Sequence, residues 1–572
     1  MEFRRFYFLF VLLVLGLAIS SDAAENSSNA AQGPTLVATL KGHPVFGVLP
    51  DGRLAAFSLT TLGKNQVVEM QVSTDNSRTW TNPAIVLSLS TDTGRWGGPE
   101  ILVDREGEIH LIFLNDANTG IYKGGEASGR PNLTKKRLDI WHAKSTAGRT
   151  KWLSPKKIWE GYTGSLNSII QTKKGRIVLP FSYKSDRTWR NRGEGPETFT
   201  YMGDYDSTAL YSDDGGKTWT LSPDKLKVVT PDIRGAYGAV EPVVLELKDG
   251  RVWMLIRSQM GRFYESFSDD GARWSKPAPT SIVSSDSPAG LVRLKDGRIL
   301  LLWNQCLRYP YAYGGRQVLH GAISEDEGDT WRGIREVMRD PQRDLPPPPG
   351  GDFGTAYPFP RLLKDGNVLF TSGQGGGRRA TYVLDPEWLT QPAQQTDFSD
   401  GLDDWSTYGV KGVELKDASQ QPKAKVLRIA KLDSNWEAGA VWNFPAGRSG
   451  RLDIVFGVEP GFHSLNLGLT DHYSTPFDEE DRFYNLFNLP IGPNNLINSA
   501  KLQVGRRYRL TMKWNTNNRA CELLLDGKNI GSLSQTRVTP TGINYLRLRS
   551  TSSQPDAGGL LLYEVSANLL SD

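Results

Sequence analysis

Glu241 and Arg257 stand sixteen residues apart in VEPVVLELKDGRVWMLIRS, on either side of a tight Asp-Gly turn. Tyr357 is the second residue of AYPFPRLLKDG, and Arg316 lies in GGRQVLHGAIS. These residue types suit an anionic ligand. A carboxylate beside a phenol can take its proton, and a guanidinium can hold a carboxylate through two parallel charged bonds. One register gathers them. A proline lies eight residues before a turn glycine four times: Pro44 before Gly52, Pro99 before Gly107, Pro242 before Gly250 and Pro358 before Gly366. The residues just ahead of these prolines are His43, Gly98, Glu241 and Tyr357. Seven residues past a turn glycine lie Ser182, Arg257 and Asn304. Where each turn joins two antiparallel strands, both sets fall at the same strand end. Glu241, Arg257 and Tyr357 then converge although they span 116 residues.

The elements that must position them are repeated. Six turns of the Asp-Gly type, with Gly52, Gly107, Gly175, Gly250, Gly297 and Gly366, join apolar stretches and predict hairpins. Between them recurs Ser-x-Asp-x-Gly-x-Thr-Trp. It is full at Ser212 and Ser324, carries Ser77 in the glycine slot at Ser73, is one residue short at Ser268, and keeps only Ser and Trp152 at Ser145. The two series alternate without exception. Six hairpins with five interleaved acidic turns predict an all-β fold, a six-bladed β-propeller, with the last unit closed by the N-terminal strand. The starts of the inner strands ring one mouth of its channel. The acidic turn itself is a structural device: Asp accepts backbone N–H groups, Gly supplies positive φ and Trp packs between strands.

Over roughly residues 35–390 these repeats resemble the Asp-box of the sialidase (neuraminidase) superfamily. The motif speaks for the fold, while function must come from the site. In that family a Glu begins one inner strand, an Arg ends the next, a second Arg precedes an Asp-box and a Tyr begins the last inner strand. Glu241, Arg257, Arg316 and Tyr357 fit in that order. The resemblance implies that Tyr357 is the nucleophile, because a carboxylate nucleophile would meet the like charge of sialic acid. It implies that Glu241 takes the phenol proton and that Arg257 and Arg316 grip the substrate carboxylate. His43 and Asn304 join them as substrate-binding residues at the mouth, and His43 can alternatively serve as acid. Two parts depart from the family. Its Arg-Ile-Pro start is here Gly42–Pro44, without arginine. The loop that carries its acid/base Asp is here TTLGKNQ, Thr60–Gln66, without a carboxylate. A polar and aromatic insertion, Tyr183–Ser207, and the stretch Arg308–Arg316 supply further groups suited to sugar binding.

The chain of 572 residues is long enough for two or more domains, and its formal charge of +4, with no basic block, excludes nucleic-acid binding. Arg4 and Arg5, the apolar run Phe6–Ile19 and the small residues after it read as a signal peptide over 1–23, so the protein is expected to be exported, with no membrane span. Cys306 and Cys521 read as two buried free thiols, and six His without zinc spacing point to no metal and no cofactor. The propeller is assigned to 34–390. The polar stretch Leu389–Thr396 reads as a linker, so a chain ending near Gln395 is expected to fold alone. Residues 397–572 alternate as antiparallel strands and predict a jelly-roll β-sandwich that resembles laminin-G or concanavalin-like modules. The leading expectation is a secreted exo-glycoside hydrolase that removes a terminal acidic sugar, sialic acid or similar, from a glycan. The alternatives are a related propeller acting on another acidic polysaccharide with a changed acid/base, and a non-catalytic glycan-binding protein.

Overall fold

The structure is a computed structural model. It describes residues 33–570 except 38–39, 41–43, 118–136, 147–150, 186–189, 192–198, 201–204, 230–237, 307–314, 346–352, 376–377, 409–410, 419–423 and 475–482. The expected signal peptide, His43, much of the Tyr183–Ser207 insertion and Arg308 to Gly314 lie outside the described residues. All six turn glycines hold φ between 77° and 98°, where a Cβ is disfavoured. Each donates its N–H to the carbonyl three residues earlier, at 2.8–3.1 Å.

Around these turns six antiparallel sheets form. Blade one is Val45–Val48, Leu54–Leu62, Asn65–Ser73 and Ala84–Leu89. Blade two is Glu100–Val103, Ile109–Asp116, Asp139–Lys144 and Lys156–Trp159, with Arg95–Trp96 added against its second strand. Blade three is Ile170–Gln171, Ile177–Lys184, Tyr205–Ser212 and Thr220–Leu221. Blade four is Val240–Glu246, Val252–Arg257, Arg262–Ser268 and Ala278–Val283. Blade five is Gly290–Arg293, Ile299–Trp303, Val318–Ser324 and Arg332–Arg339. Blade six is Phe359–Leu362, Val368–Ser372 and Ala380–Leu384, closed by Thr35–Leu36. This six-bladed propeller is the expected fold. Its cores lie between neighbouring blades. Phe57 and Val68 meet Leu111 and Phe113, for example, and Phe46 and Ala56 meet Leu363 and Leu369 to complete the ring.

The acidic turns lock by side-chain bonds. Ser212 Oγ donates to Asp214 Oδ1 at 2.8 Å and accepts from Gly216 N at 2.8 Å, while Asp214 accepts from Thr218 N and Thr218 Oγ1 at 2.9 and 2.6 Å. Ser77 takes the same place as Gly216 and is held at φ 73°. Trp219 donates to His142 Nδ1 at 3.4 Å; His142 Nε2 lies 3.0 Å from His110 Nδ1, and His110 Nε2 lies 3.0 Å from Asp104. An indole N–H can only donate. The chain of bonds therefore leaves each imidazole one proton, on Nε2, and both rings are neutral. Burial holds His142 down at about 3 and lowers His110 as well.

The C-terminal half is a β-sandwich of an eight-stranded and a seven-stranded sheet around Trp405, Trp442, Phe444, Trp514, Leu546 and their neighbours. Its strand Ile543–Ser550 turns Leu546 and Leu548 inward and Tyr545 outward onto the propeller, where Tyr545 packs with Cys306, Val318, Val441 and Tyr473. A buried polar chain crosses this seam. Gln305 N donates to His320 Nδ1 at 3.1 Å, so His320 Nε2 carries the proton and meets Tyr545 Oη at 2.6 Å. The Tyr545 hydroxyl donates onward to Glu336 at 2.7 Å, and Glu336 also holds Arg339 at 2.5 Å. Asn544 donates to Gln305 at 3.0 Å. The expected free linker differs from the structure: Ala393–Thr396 is a strand paired with Val565 to Asn568 of the sandwich. Its alternating exposure serves a sheet edge, where backbone groups supply the bonding. Cys306 and Cys521 are buried and in no disulfide among the described residues. No helix among the described residues is long and apolar enough to cross a membrane.

Candidate functional site

Blade four makes the first half of the site. Val240 pairs with Arg257 and Val243 with Leu255, so Glu241 and Pro242 together oppose one residue of the partner strand. Such a bulge re-aims a side chain, and Pro242 has no N–H to offer the ladder. Glu241 sits there at φ 47°, and Tyr357, also followed by proline, sits at φ 67°. Positive φ at a residue with a Cβ costs about 1–3 kcal/mol and persists where surrounding structure over-determines it. Two such residues at equivalent strand starts aim into one mouth.

Their side chains meet there. The Tyr357 hydroxyl donates to Glu241 Oε1 at 3.1 Å and lies 3.1 Å from Arg257 Nη1. Arg257 Nη1 also binds Glu241 Oε2, and Arg257 Nε binds Asp286 at 2.6 Å. Glu241, Arg257 and Asp286 are all buried. Gly164 leaves room for Glu241: a Cβ on it would lie 3.2 Å from Glu241 Cγ. Ser165 N donates to Glu241 Oε1 at 3.3 Å, and Ser182 Oγ accepts from Glu241 N at 3.0 Å.

Arg316 joins from blade five. Its Nη1 donates to Gln374 Oε1 and its Nη2 to the Asp286 carbonyl, both at 2.6 Å, and its guanidinium lies 5.7 Å from the Tyr357 ring centre. Gly354 lets the Tyr357 segment approach, since a Cβ there would sit 2.1 Å from the Arg316 carbonyl oxygen. Asn304 is fully buried and its amide is engaged by the protein. It donates to the Val318 carbonyl at 2.7 Å and Thr355 Oγ1 at 3.0 Å, and accepts from Ser287 at 2.7 Å. It thus ties blade five to the segment that leads into Tyr357.

Sequence reasoning missed Asp286, Gln374 and Gln259, whose amide donates to Asp286 at 3.2 Å. SSDSPAG carries only a partial signal: Pro288 lies nine residues before Gly297 rather than eight, and the residue just ahead of it is Ser287, with Asp286 one further back. Deeper in the mouth, Arg361 of blade six reaches past blade one, donating to the Phe46 carbonyl at 2.8 Å and to Glu100 of blade two at 2.6 Å. Burial pushes the Glu100 carboxyl up. At the blade-one rim, Thr60 to Gln66 forms a hairpin end in which Leu62 pairs with Asn65.

The arrangement can do three things. Glu241 accepts the proton of the Tyr357 phenol. Arg257 steadies both, and Arg316 covers the phenol ring, so negative charge developing on the oxygen meets fixed cations.

The model of the BNR repeat-like domain family matches residues 52–369. No curated protein matches the chain. Among solved structures, a sialidase of Trypanosoma rangeli is 14% identical with a TM-score of 0.40, over 93% of this chain and 92% of its own. The NanB sialidase of Streptococcus pneumoniae is 14% identical with a TM-score of 0.41, over 63% of this chain and 70% of its own. A protein of unknown function from Dyadobacter fermentans is 18% identical with a TM-score of 0.43, over 62% of this chain and 98% of its own. The family match takes in the turns, the acidic repeats and the Glu241, Arg257, Arg316 and Tyr357 positions over more than half of the chain, and the chain belongs to the BNR repeat-like domain family.

Proposed function

We propose that the protein is an exported glycoside hydrolase of sialidase type that removes a terminal acidic sugar from a glycan. The observation that carries the reading is the Tyr357 hydroxyl bonded to both Glu241 and Arg257 at 3.1 Å on two residues held at positive φ. In the proposed reaction Glu241 takes the phenol proton and the Tyr357 oxygen attacks the anomeric carbon from the face opposite the leaving group. The leaving oxygen takes its proton from solvent; a water then attacks the anomeric carbon, its oxygen becoming the sugar hydroxyl and its spare proton passing to solvent, while the Tyr357–sugar bond breaks and the proton held by Glu241 returns to the Tyr357 oxygen. Arg257 and Arg316 stabilise the anionic partners.

A second reading, a glycan-binding protein without turnover, is favoured by the Thr60–Gln66 hairpin end, which offers no carboxylate to protonate a leaving group. One assay separates the two. An aryl sialoside releases a stabilised phenolate and needs little acid catalysis, whereas an alkyl-linked sialyl-lactose does. Under the first reading wild-type protein turns over the aryl substrate, and Tyr357→Phe abolishes turnover while still binding the product sugar. Full activity in Tyr357→Phe excludes the mechanism. Binding without turnover of either substrate supports the second reading.

A further inference from the structure

Blade five and the sandwich enclose a cleft of about 1020 Å³ at the end of the blade remote from the mouth. Strand Val318–Ser324 leads away from Arg316 to the acidic turn at Ser324, about 20 Å of extended chain. Glu325, Asp329 and Trp331 of that turn form one wall of the cleft. Arg448, Asn517 and Thr541 of the sandwich form the other. The walls are closely backed. A Cβ on Gly333 would lie 2.4 Å from the Leu389 carbonyl oxygen, and one on Gly447 would lie 2.5 Å from Leu569 Cδ2. Trp331 and Ala446 both pack on the core between blades four and five and close the inner end. A preformed cleft where two domains meet, of about 300–1,000 Å³, is a common setting for a small-molecule site.

Its polar groups are largely unspent. The side chains of Asp329, Asn517 and Thr541 make no hydrogen bond among the described residues, and Arg448 makes one, to the Pro540 carbonyl at 3.4 Å. Arg332 is exposed and reaches Glu325 only at 3.8 Å. Arg298 and Glu387 pair with each other. Three guanidiniums, of Arg298, Arg332 and Arg448, thus share the lining with three carboxylates, of Glu325, Asp329 and Glu387, and the lining carries no net charge. A cleft balanced in this way gives an ionic ligand no advantage. It sets donors beside acceptors, and a sugar hydroxyl both donates and accepts. Among them stand the Trp331 ring, Pro540 and the exposed Leu570, apolar surfaces against which the C–H face of a sugar ring can lie.

We propose that this cleft is a carbohydrate site that holds a neutral oligosaccharide, separate from the mouth and independent of any chemistry at Tyr357. With two sites at opposite ends of one blade, the protein can hold a glycan-bearing surface at the seam while another chain end enters the mouth, and the joint affinity then exceeds that of either site.

The test uses the full chain on an array of neutral oligosaccharides, followed by calorimetric titration of the strongest binder. Wild-type protein binds at least one of them, and excess N-acetylneuraminic acid leaves that affinity within two-fold. Arg448→Ala combined with Asn517→Ala removes two exposed hydrogen-bonding side chains and leaves the core intact. It lowers the affinity about ten-fold or more, as the loss of one or two hydrogen bonds does. Thr541→Trp, which fills the cleft from the sandwich wall, lowers it as well. Wild-type affinity in either folded variant overturns the proposal. So does competition by the acid, which places the sugar in the mouth, or an array without a neutral binder. If a neutral sugar is held here and no sialoside is hydrolysed, the hydrolase reading fails and this one stands.

Discussion

Replacing Tyr545 by Phe removes one oxygen from the seam between the propeller and the sandwich. That oxygen accepts from His320 at 2.6 Å and donates to Glu336 at 2.7 Å. Tyr545 and His320 are fully buried and Glu336 nearly so, so water does not replace the lost partner. Burial holds His320 at about 3, so the ring stays neutral and its N–H is simply orphaned. An unpaired buried polar group costs about 1–3 kcal/mol, and more when it is charged. The orphaned imidazole and the under-bonded carboxylate together make the expected loss about 3–5 kcal/mol. The phenyl ring keeps its packing against Tyr473 and Val441, so little is lost in volume. For a unit the size of the sandwich this is a fall of roughly 6–20 °C in its melting transition, at about 2–4 °C per kcal/mol. Scanning calorimetry on the full chain measures it. A change of less than about 2 °C would falsify the account, because the seam would then owe nothing to this hydroxyl.

Truncation after Gln395 should not yield a soluble propeller, contrary to the expectation from the linker's composition. It uncovers His320, Glu336 and Val318, and the truncated chain should aggregate or melt well below the full protein; a soluble fragment with unchanged melting refutes this. Arg257→Lys leaves one ammonium where a fork bonded Glu241, Asp286 and Tyr357. Binding of an acidic sugar should weaken by about 1.5–3 kcal/mol in calorimetry, and an unchanged affinity sinks the role. Stability should fall as the pH drops. His142 and His320 are neutral in the fold and held at about 3, whereas unfolded His titrates near 6.5, so between those values the unfolded chain binds more protons. Each His then contributes a slope of up to about 1.4 kcal/mol per pH unit, full stability lying above about 6.5. Equal unfolding free energies in urea at pH 7 and pH 5 would contradict the neutral assignment.

Local chemistry was legible in the chain. Glycines that must take positive φ, acidic turns that bond their own backbone and apolar stretches between them are short-range requirements. Each copy prints them, so six blades could be counted from Gly52 to Gly366. The register carried over to Glu241, Arg257 and Tyr357 because each stands a fixed number of residues from such a turn. Asp286 escaped because it stands two residues ahead of Pro288, which is itself one residue out of register with Gly297. What the tertiary structure decided is contact between distant segments. The composition of Leu389–Thr396 said linker, yet the last strand of the sandwich had an edge for it to pair with. Nothing near Tyr545 announces His320, which lies 225 residues earlier in the chain, and the two meet only because the outer face of one sheet settles on a blade. Arg379, too, gains its surroundings only in the fold. In sequence it is one arginine beside another; in space Arg378 pairs with Asp340, whereas Arg379 lies against Phe359 and makes no ion pair among the described residues. Turns are set by the residues within them, whereas which charges stay unneutralised depends on every element packed around them.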